Sequence, residues 1–432
     1  MYQAGLKYKA VYFKSSGLLI LFLSLFSCRY DLLAANYNVS FSHTIENSSN
    51  VQLIPNDFID LNLDVDYDDT INSSLIYVNF NEDSSGVKAT VNYSINYLDY
   101  ENNIASDVTR NNLKSEVLWR ITPGYYSWLF VDNFTQTRTD PSLVFSEANT
   151  QDVNEFITGP KFEWRVGDST INLESSIHDY DYSETDNDSS DITTNLRWGK
   201  KMPSGMNLYL KYSTKYVTYE NDALEGYSHS SVGVNFSYQR VTNNLDIFYG
   251  RTFLNSDDVD KNEFSNFSIT YRRQISRSSF IRLVHTSGLN DQNDSIGSAG
   301  TVLNGVFVNT TSSINYNRTS SSLDFDIKFF QQNRKDSDTG SSDAKSGGEI
   351  SLSRILDPRS QIRLSYKESH DRVNNVLVLY DDNVVESRLE YSKLFNNKLS
   401  LRVYASDIYV ESSKSFRGYS DKRVGVTFSI SR

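Results

Sequence analysis

The sequence is poor in cysteine, in proline and in long apolar runs. Its 432 residues include one cysteine and six prolines, so we expect neither a disulfide framework nor a proline-rich linker between domains. Beyond the N-terminus, no apolar run approaches the ~20 residues that a membrane-spanning helix needs. The formal net charge of -12 argues against a general nucleic-acid binder, because such a protein carries a basic surface.

The first 35 residues are predicted to be a secretory signal peptide. Lys7, Lys9 and Lys14 precede an apolar run at 18–26 (LLILFLSLF) that is too short to span a membrane. The single cysteine, Cys28, follows this run, and the residues LFSC at 25–28 partly match a lipoprotein cleavage box, which makes Cys28 a candidate lipidation site. The alternative is cleavage near the residues LAA at 33–35, which would leave the mature chain without cysteine.

The chain is rich in alternating apolar and polar residues. In three segments between residues 205 and 253, every second residue is apolar: Met206, Leu208, Leu210 and Tyr212; Val232, Val234, Phe236 and Tyr238; Leu245, Ile247 and Tyr249. This period of two is typical of a β-strand whose two faces meet different environments. The 29 Tyr and 24 Phe suit pleated strands, and Tyr also suits the lipid–water interface.

Alternating segments of this kind continue through the rest of the chain without a domain boundary. Short connections such as 240–244 and 357–359 take turns with longer ones such as 136–155 and 288–309. Outer-membrane barrels have this order, with short periplasmic turns and long extracellular loops, whereas a soluble sandwich has no reason to keep it. We therefore predict an all-β fold, a single antiparallel transmembrane β-barrel of about 20 strands.

The predicted barrel covers residues 58–432, with residues 36–57 as a periplasmic lead-in. Weak segments leave 18 or 16 strands as alternatives, and all three counts are even, as bacterial barrels require. The predicted location is the outer membrane of a Gram-negative bacterium. Its partners there would be membrane lipid, lipopolysaccharide and the barrel-insertion machinery.

Two stretches of the sequence resemble a known family. Residues 121–141 (ITPGYYSWLFVDNFTQTRTDP) and 154–167 (NEFITGPKFEWRVG) are similar to the outer-membrane β-barrel family associated with PEP-CTERM/exosortase systems and exopolysaccharide gene clusters. The residues that carry the resemblance are Pro123, the Asp132-Asn133 pair, Asp140-Pro141 and Gly159-Pro160. The resemblance implies an outer-membrane protein connected with export of a cell-surface polymer or protein, and polysaccharide as a partner.

Alternation also predicts which charges face the lumen. If the apolar positions face lipid, eight cations face inward, together with the acids Asp324, Asp326 and Glu390. The eight are Lys88, Lys211, Lys215, Arg272, Arg363, Lys367, Arg388 and Arg402. Arg or Lys on the lipid face costs roughly 2–4 kcal/mol at the midplane, which supports this assignment. A predominantly basic wall would favour anionic solutes or an acidic polysaccharide; a network of ion pairs that braces the barrel is the equal alternative.

Signals for catalysis or metal binding are weak. His178 precedes Asp179, and His370 precedes Asp371, but neighbours in a strand point to opposite faces, so these pairs more often meet solvent than form a catalytic dyad. Neither a G-x-S-x-G elbow nor a spaced set of metal ligands occurs. We predict no enzyme activity, no catalytic residue, no metal and no cofactor.

These observations leave three functions open. The first is a pore or export conduit linked to surface polysaccharide. The second is a structural or interaction barrel that binds partners or matrix through acidic extracellular loops. The third, a hydrolase at the barrel rim, rests only on the Asp–His neighbours.

Overall fold

The protein is described by a computed structural model over residues 36–55, 67–139, 149–185, 188–202, 205–221, 226–256, 263–291, 306–336, 341–374, 379–414 and 417–432. The predicted signal peptide and Cys28 lie outside these residues. Within them, no helix is long and apolar enough to cross a membrane.

Twenty antiparallel strands form one sheet. Their bounds are β1 Asn36–Ser48, β2 Asp69–Asp83, β3 Val87–Tyr100, β4 Val108–Thr122, β5 Tyr126–Arg138, β6 Thr150–Val166, β7 Ser169–Tyr182, β8 Ser189–Lys201, β9 Met206–Tyr219, β10 Tyr227–Gln239, β11 Asn243–Asn255, β12 Glu263–Ser276, β13 Ser279–Asp291, β14 Val306–Thr319, β15 Leu323–Asp336, β16 Ser342–Asp357, β17 Ser360–Asn374, β18 Leu379–Leu394, β19 Leu399–Ser412 and β20 Tyr419–Ser431. The predicted count of about 20 strands is confirmed.

The sheet closes on itself through its first and last strands. β1 pairs with β20, with Phe41 opposite Ile430 and Asn47 opposite Val424, and β1 also pairs with β2. The barrel therefore begins at Asn36, and the assignment of 36–57 to a lead-in outside the barrel is corrected for β1. Closure leaves no strand edge unpaired, which the bilayer requires because its core offers no other hydrogen-bond partner. Residues 58–66, where the predicted barrel was to begin, lie outside the described residues.

The two ends of the barrel differ in their connections. At one end, nine turns of two to four residues join β2–β3, β4–β5 and so on to β18–β19, and the start of β1 and the end of β20 lie at this end. Gly124, Gly167 and Gly205 in these turns have positive φ angles of 79°, 60° and 79°, which glycine adopts without steric cost. Longer connections lie at the other end. By the rule for outer-membrane barrels, the short-turn end is periplasmic and the other extracellular.

The strands reach farther toward the extracellular end than the sequence indicated. The predicted loop at 136–155, for example, contains the end of β5 and the start of β6. These strand ends carry polar residues on both faces, as in Gln136 opposite Asp152. Because they have no apolar alternation, the periodicity of the sequence did not reveal them.

Apolar side chains on the outer face form the membrane belt. On β9, Leu208, Leu210 and Tyr212 are 44%, 46% and 43% exposed, and the register carries the same face to Val234 and Val232 on β10. All four tryptophans lie on this face toward the periplasmic end. Trp119 and Trp128 are directly paired, and Trp164 and Trp198 flank Ile171. This is one of the two interfacial aromatic girdles of a transmembrane barrel.

Candidate functional site: the lumen and its extracellular collar

The inner face is polar and accessible in the periplasmic part of the barrel. Charged side chains there point inward by register and remain exposed to solvent; we call this region the vestibule. They include Asp246, Arg272, Arg282, Lys328, Arg363 and Arg402. Barrels of 16–18 strands already leave an aqueous channel, so 20 strands provide room for a wide one.

The eight cations predicted from alternation all lie on the inner face, and so do Asp324, Asp326 and Glu390. Four of the eight form ion pairs within 4.0 Å. Lys215 Nζ lies 3.4 Å from Asp191 Oδ2, and Lys367 Nζ lies 3.2 Å from Glu386 Oε1. Arg388 and Arg402 share Glu390, at 3.0 and 3.3 Å. Arg363 is directly opposite Glu390 in the register.

The expectation of a predominantly basic wall is wrong for the barrel as a whole. Among the described strand residues that face inward, carboxylates are about as numerous as cations. Sequence alternation had identified few of these acids, because many lie on polar strand ends where both faces look alike. Asp191, Asp343 and Glu386 are examples. Over much of the wall the ion-pair network is therefore the better description.

The extracellular end of the lumen is buried, in contrast to the vestibule. Inward-facing residues at the extracellular ends of the strands form what we call the collar. Its members are Asp69, Asp191, Asp382, Asp421, Val153, Val217, Phe307 and Val410, and none is more than 6% exposed. Apolar clusters support it, such as Val217 with Tyr227, Leu254 and Phe264. Solvent thus reaches the inner wall on the periplasmic side but not at the collar.

Two collar carboxylates anchor extracellular connections against the wall. Asp69 accepts hydrogen bonds from the backbone N–H groups of Asn102 at 2.8 Å and Ile104 at 3.3 Å, which fixes the β3–β4 connection. Asp421 accepts from the hydroxyl of Ser48 at 2.7 Å and from the backbone N–H of Asn50 at 3.2 Å, which fixes the start of the β1–β2 connection. A cavity of about 1050 Å³ is lined in part by these two connections.

The wall of this cavity is itself held by a charged network. Arg423 binds Glu46 at 3.1 Å and Asp421 at 2.5 Å, so it bridges the β1–β20 seam. The hydroxyl of Tyr404 donates to the other oxygen of Glu46. Because each acid and cation has a partner of opposite sign, the desolvation of these charges is offset locally.

A third connection is secured by a buried arginine. Arg417, between β19 and β20, is 7% exposed and reaches Asp382 on β18. Its Nε and Nη2 atoms lie 3.0 and 2.8 Å from Asp382 Oδ2, and its guanidinium stacks on Tyr380 at 3.8 Å. Ser412 also donates to Asp382. We call this pair the latch, because it ties an extracellular connection to the inner wall.

His178 belongs to a polar cluster in the collar and does not pair with Asp179, which is on the opposite face. Its Nε2 lies 2.8 Å from Ser176 Oγ. Its Nδ1 lies 3.3 Å from the hydroxyl of Tyr180 and 3.7 Å from Asp191 Oδ1. Ser176 is 4% exposed, so a substrate has no access to its hydroxyl. The cluster acts as a brace between β7 and β8.

His370 and Asp371 point to opposite faces of β17 and do not form a pair. His370 faces outward and contacts Asp381 at 3.0 Å, whereas its sequence neighbour Asp371 faces inward and binds Lys345 at 2.6 Å. Over the described residues, no group of three or more His, Cys, Asp or Glu side chains is arranged to hold a metal ion.

The residues that carried the family resemblance fall in several places. Pro123 is in the β4–β5 turn, Asp132 faces outward, and Asn133 faces inward and donates to Glu155 at 2.7 Å. Gly159 and Pro160 leave a gap in the β6–β7 pairing, since proline has no N–H to donate. Asp140-Pro141 lies outside the described residues.

A closed 20-stranded antiparallel barrel with an apolar outer belt, a tryptophan girdle and a hydrated inner face defines a class of protein. That class is the Gram-negative outer-membrane β-barrel, and the chain is an outer-membrane protein.

Comparison with solved structures agrees with this class. The chain is similar to the siderophore receptor PirA from Acinetobacter baumannii, at 8% identity and a TM-score of 0.52, with 93% of this chain and 81% of that chain covered. It is also similar to a mutant of the ferric enterobactin receptor PfeA from Pseudomonas aeruginosa, at 8% identity and a TM-score of 0.51, with 92% and 81% covered. At such low identity the likeness shows the fold alone. No protein-family model and no curated protein matches the sequence.

Proposed function

We propose that this barrel is an outer-membrane conduit whose extracellular mouth the collar holds closed. The observation that carries the proposal is the contrast along the lumen, where exposed charged side chains in the vestibule lie below buried residues in the collar. A purely structural barrel has no need of a wide solvent-filled interior. A conduit needs that interior, together with a barrier that prevents leakage when no cargo passes.

The barrier consists of interactions that can break and re-form. The latch Arg417–Asp382 and the anchors at Asp69 and Asp421 connect extracellular segments to the wall through hydrogen bonds and ion pairs. Releasing them frees connections and leaves the strand ladder intact. Mouth opening is therefore far less costly than any change in the barrel itself.

The proposed cargo is surface polysaccharide. Two features support it: the similarity of residues 121–141 and 154–167 to the exopolysaccharide-associated barrel family, and a lumen lined by exposed charged groups. Passage through the hydrated vestibule is passive and needs no chemistry from the chain, so the proposed function is not enzymatic. Lipopolysaccharide and the barrel-insertion machinery remain the predicted partners in the membrane.

Conductance of the refolded protein in a planar bilayer tests the proposal. Wild-type protein is expected to conduct rarely, because the collar is closed. A variant without the latch, Arg417→Met, is expected to give stable steps of large conductance. If protein shown to be folded by its heat-modifiable migration stays silent in both forms, the conduit proposal fails.

An interaction barrel is the second candidate, favoured by the rigid attachment of the extracellular connections at Asp69 and Asp421. Ordered surface segments provide a defined binding surface for a partner or matrix. Deletion of the connection between β5 and β6 distinguishes the two functions. Loss of surface attachment with unchanged conductance supports the interaction barrel. Changed conductance with unchanged surface attachment supports the conduit.

A further inference from the structure

One sector of the lumen wall, β8 to β13, carries more cations than carboxylates. Six cations and two carboxylates face inward there: Arg197, Lys201, Lys211, Lys215, Arg272 and Arg282, and Asp191 and Asp246. Lys215 and Asp191 form an ion pair and neutralise each other, which leaves five cations and one carboxylate. Asp246 attracts Lys211 and also accepts a hydrogen bond from Asn235 at 2.9 Å.

Within this sector the register places like charges side by side. Arg197 on β8 is directly opposite Lys211 on β9, and Arg272 on β12 is directly opposite Arg282 on β13. Side chains at directly opposed positions start about 4.5–5.5 Å apart at Cβ, and like charges there destabilise the sheet. Among the described residues, none of these four cations forms an ion pair within 4.0 Å.

Aromatic rings hold three of these cations against the wall. The guanidinium of Arg197 lies 3.6 Å from the ring centre of Tyr209, and that of Arg272 lies 4.2 Å from Phe280. Lys211 Nζ lies 5.2 Å from the ring of Phe248. Stacking of this kind restricts a cation without neutralising it.

Glycines beneath the rings make this stacking possible. A Cβ at Gly199 would come within 2.0 Å of the Tyr209 ring, and one at Gly233 would come within 2.5 Å of the Phe248 ring. The rings therefore lie flat on bare backbone and present their other face to the lumen.

In another part of the wall, cations stack on aromatic rings but also bind carboxylates. On β17 to β19, Arg388 stacks on Tyr404 at 3.9 Å, but it also binds Glu390, and Lys367 binds Glu386. Cations that brace the barrel thus have carboxylates within reach. The β8–β13 sector differs, because its four paired cations stand near a single inward-facing acid, Asp246, and none of them forms an ion pair with it within 4.0 Å.

We propose that the Arg197–Lys211 and Arg272–Arg282 pairs form two subsites for an acidic polysaccharide, with one carboxylate or sulfate bound between the two cations of each pair. This inference rests on the proposed conduit and names its cargo class. The register carries Lys211 across Gly233 and Gly250 to Asn266 on β12, which is six residues from Arg272. Three strand steps of ~4.8 Å and six residues of ~3.3 Å place Lys211 and Arg272 roughly 25 Å apart along the wall. A chain with repeated acidic groups can bridge that span along the wall, whereas a single small anion can occupy only one subsite.

Binding to the folded protein in detergent tests this directly. The probe is a hexamer of galacturonic acid, with maltohexaose as the uncharged chain of equal length and galacturonic acid as the single anion. The first test variant is Arg197→Gln with Lys211→Gln, and the second is Arg272→Gln with Arg282→Gln. Lys88→Gln with Lys114→Gln is the matched control, because it removes the same charge from exposed, inward-facing positions on β3 and β4.

Titration calorimetry at low ionic strength is expected to show binding of the acidic hexamer and none of maltohexaose. Each test variant should weaken that binding at least tenfold, and the control should change it less than twofold. Equal weakening by the control would overturn the proposal in favour of diffuse lumen charge. Equal affinity for hexamer and monomer would overturn it in favour of a small-anion site. If the folded wild-type protein does not bind the hexamer, the proposal is wrong.

The conduit and the polysaccharide subsites fail in different ways. A barrel that conducts once the latch is removed, yet does not bind the hexamer, retains the conduit and loses the subsites. A barrel that binds the hexamer in this sector but never conducts retains the sector as an acidic-glycan surface and loses the conduit.

Discussion

Removal of the latch arginine should open the extracellular mouth. Arg417→Met keeps an apolar side chain of similar length against Tyr380 but leaves the Asp382 carboxylate, which is 3% exposed, without its cation. Breaking a buried ion pair by removing one partner typically costs about 3–5 kcal/mol. The carboxylate recovers its hydration when the β19–β20 connection detaches from the inner wall at Arg417, so most of this cost should favour the open mouth.

The free-energy cost of breaking the latch determines how far the ratio of open to closed channels should change. At about 1.4 kcal/mol per tenfold change in an equilibrium constant, the latch variant should raise the ratio of open to closed channels by roughly two to three and a half orders of magnitude. Single-channel recording of open probability measures this ratio. The double variant Asp382→Asn with Arg417→Met should recover part of the closed state, because no buried charge is then left unpaired.

An exposed pair on β17 and β18, beside the latch carboxylate, provides the control. Arg372 Nη2 lies 3.1 Å from Asp381 Oδ2 on the outer face, and the two side chains are 61% and 36% exposed. Such pairs contribute about 0–1 kcal/mol, so Arg372→Met should leave open probability nearly unchanged. The latch argument is refuted if Arg417→Met matches wild type, or if the effects of Asp382→Asn and Arg417→Met add without coupling.

Three further changes test the fold. Asp421→Ala should lower barrel stability in denaturant unfolding by about 1–3 kcal/mol, because the Ser48 hydroxyl and the Asn50 N–H lose their buried acceptor while Arg423 keeps Glu46. A loss well below 1 kcal/mol would contradict the role of Asp421 as an anchor. Leu389→Arg on the lipid face, where Leu389 is 53% exposed, should cost roughly 2–4 kcal/mol in bilayers, and no cost would mean that this face is not in lipid. Gly167→Ala should cost about 1 kcal/mol or more in the same unfolding assay, because its φ is +60°; unchanged stability would show that the turn adapts.

The sequence predicted correctly which face of its strand a residue occupies, but it predicted poorly where the barrel begins. Alternation assigned Lys211 and Arg402 inward before any partner was known, because a period of two separates the faces of a strand regardless of its neighbours. It assigned Tyr37 to Ile45 to a lead-in outside the barrel, although the alternation there was visible. Whether that segment joins the barrel depends on whether the last strand, some 380 residues later, pairs with it, and a local pattern carries no such information.

The sequence by itself determined the class of the protein, the approximate strand number and the inward direction of its cations. Only the tertiary structure decided which charges meet. Lys367 reaches Glu386 on the next strand, whereas Arg197 is opposite Lys211. The physical reason is register: a shift of two residues keeps every face and changes every cross-strand partner. Burial of the collar likewise depends on side chains and connections from distant strands converging at one end of the barrel.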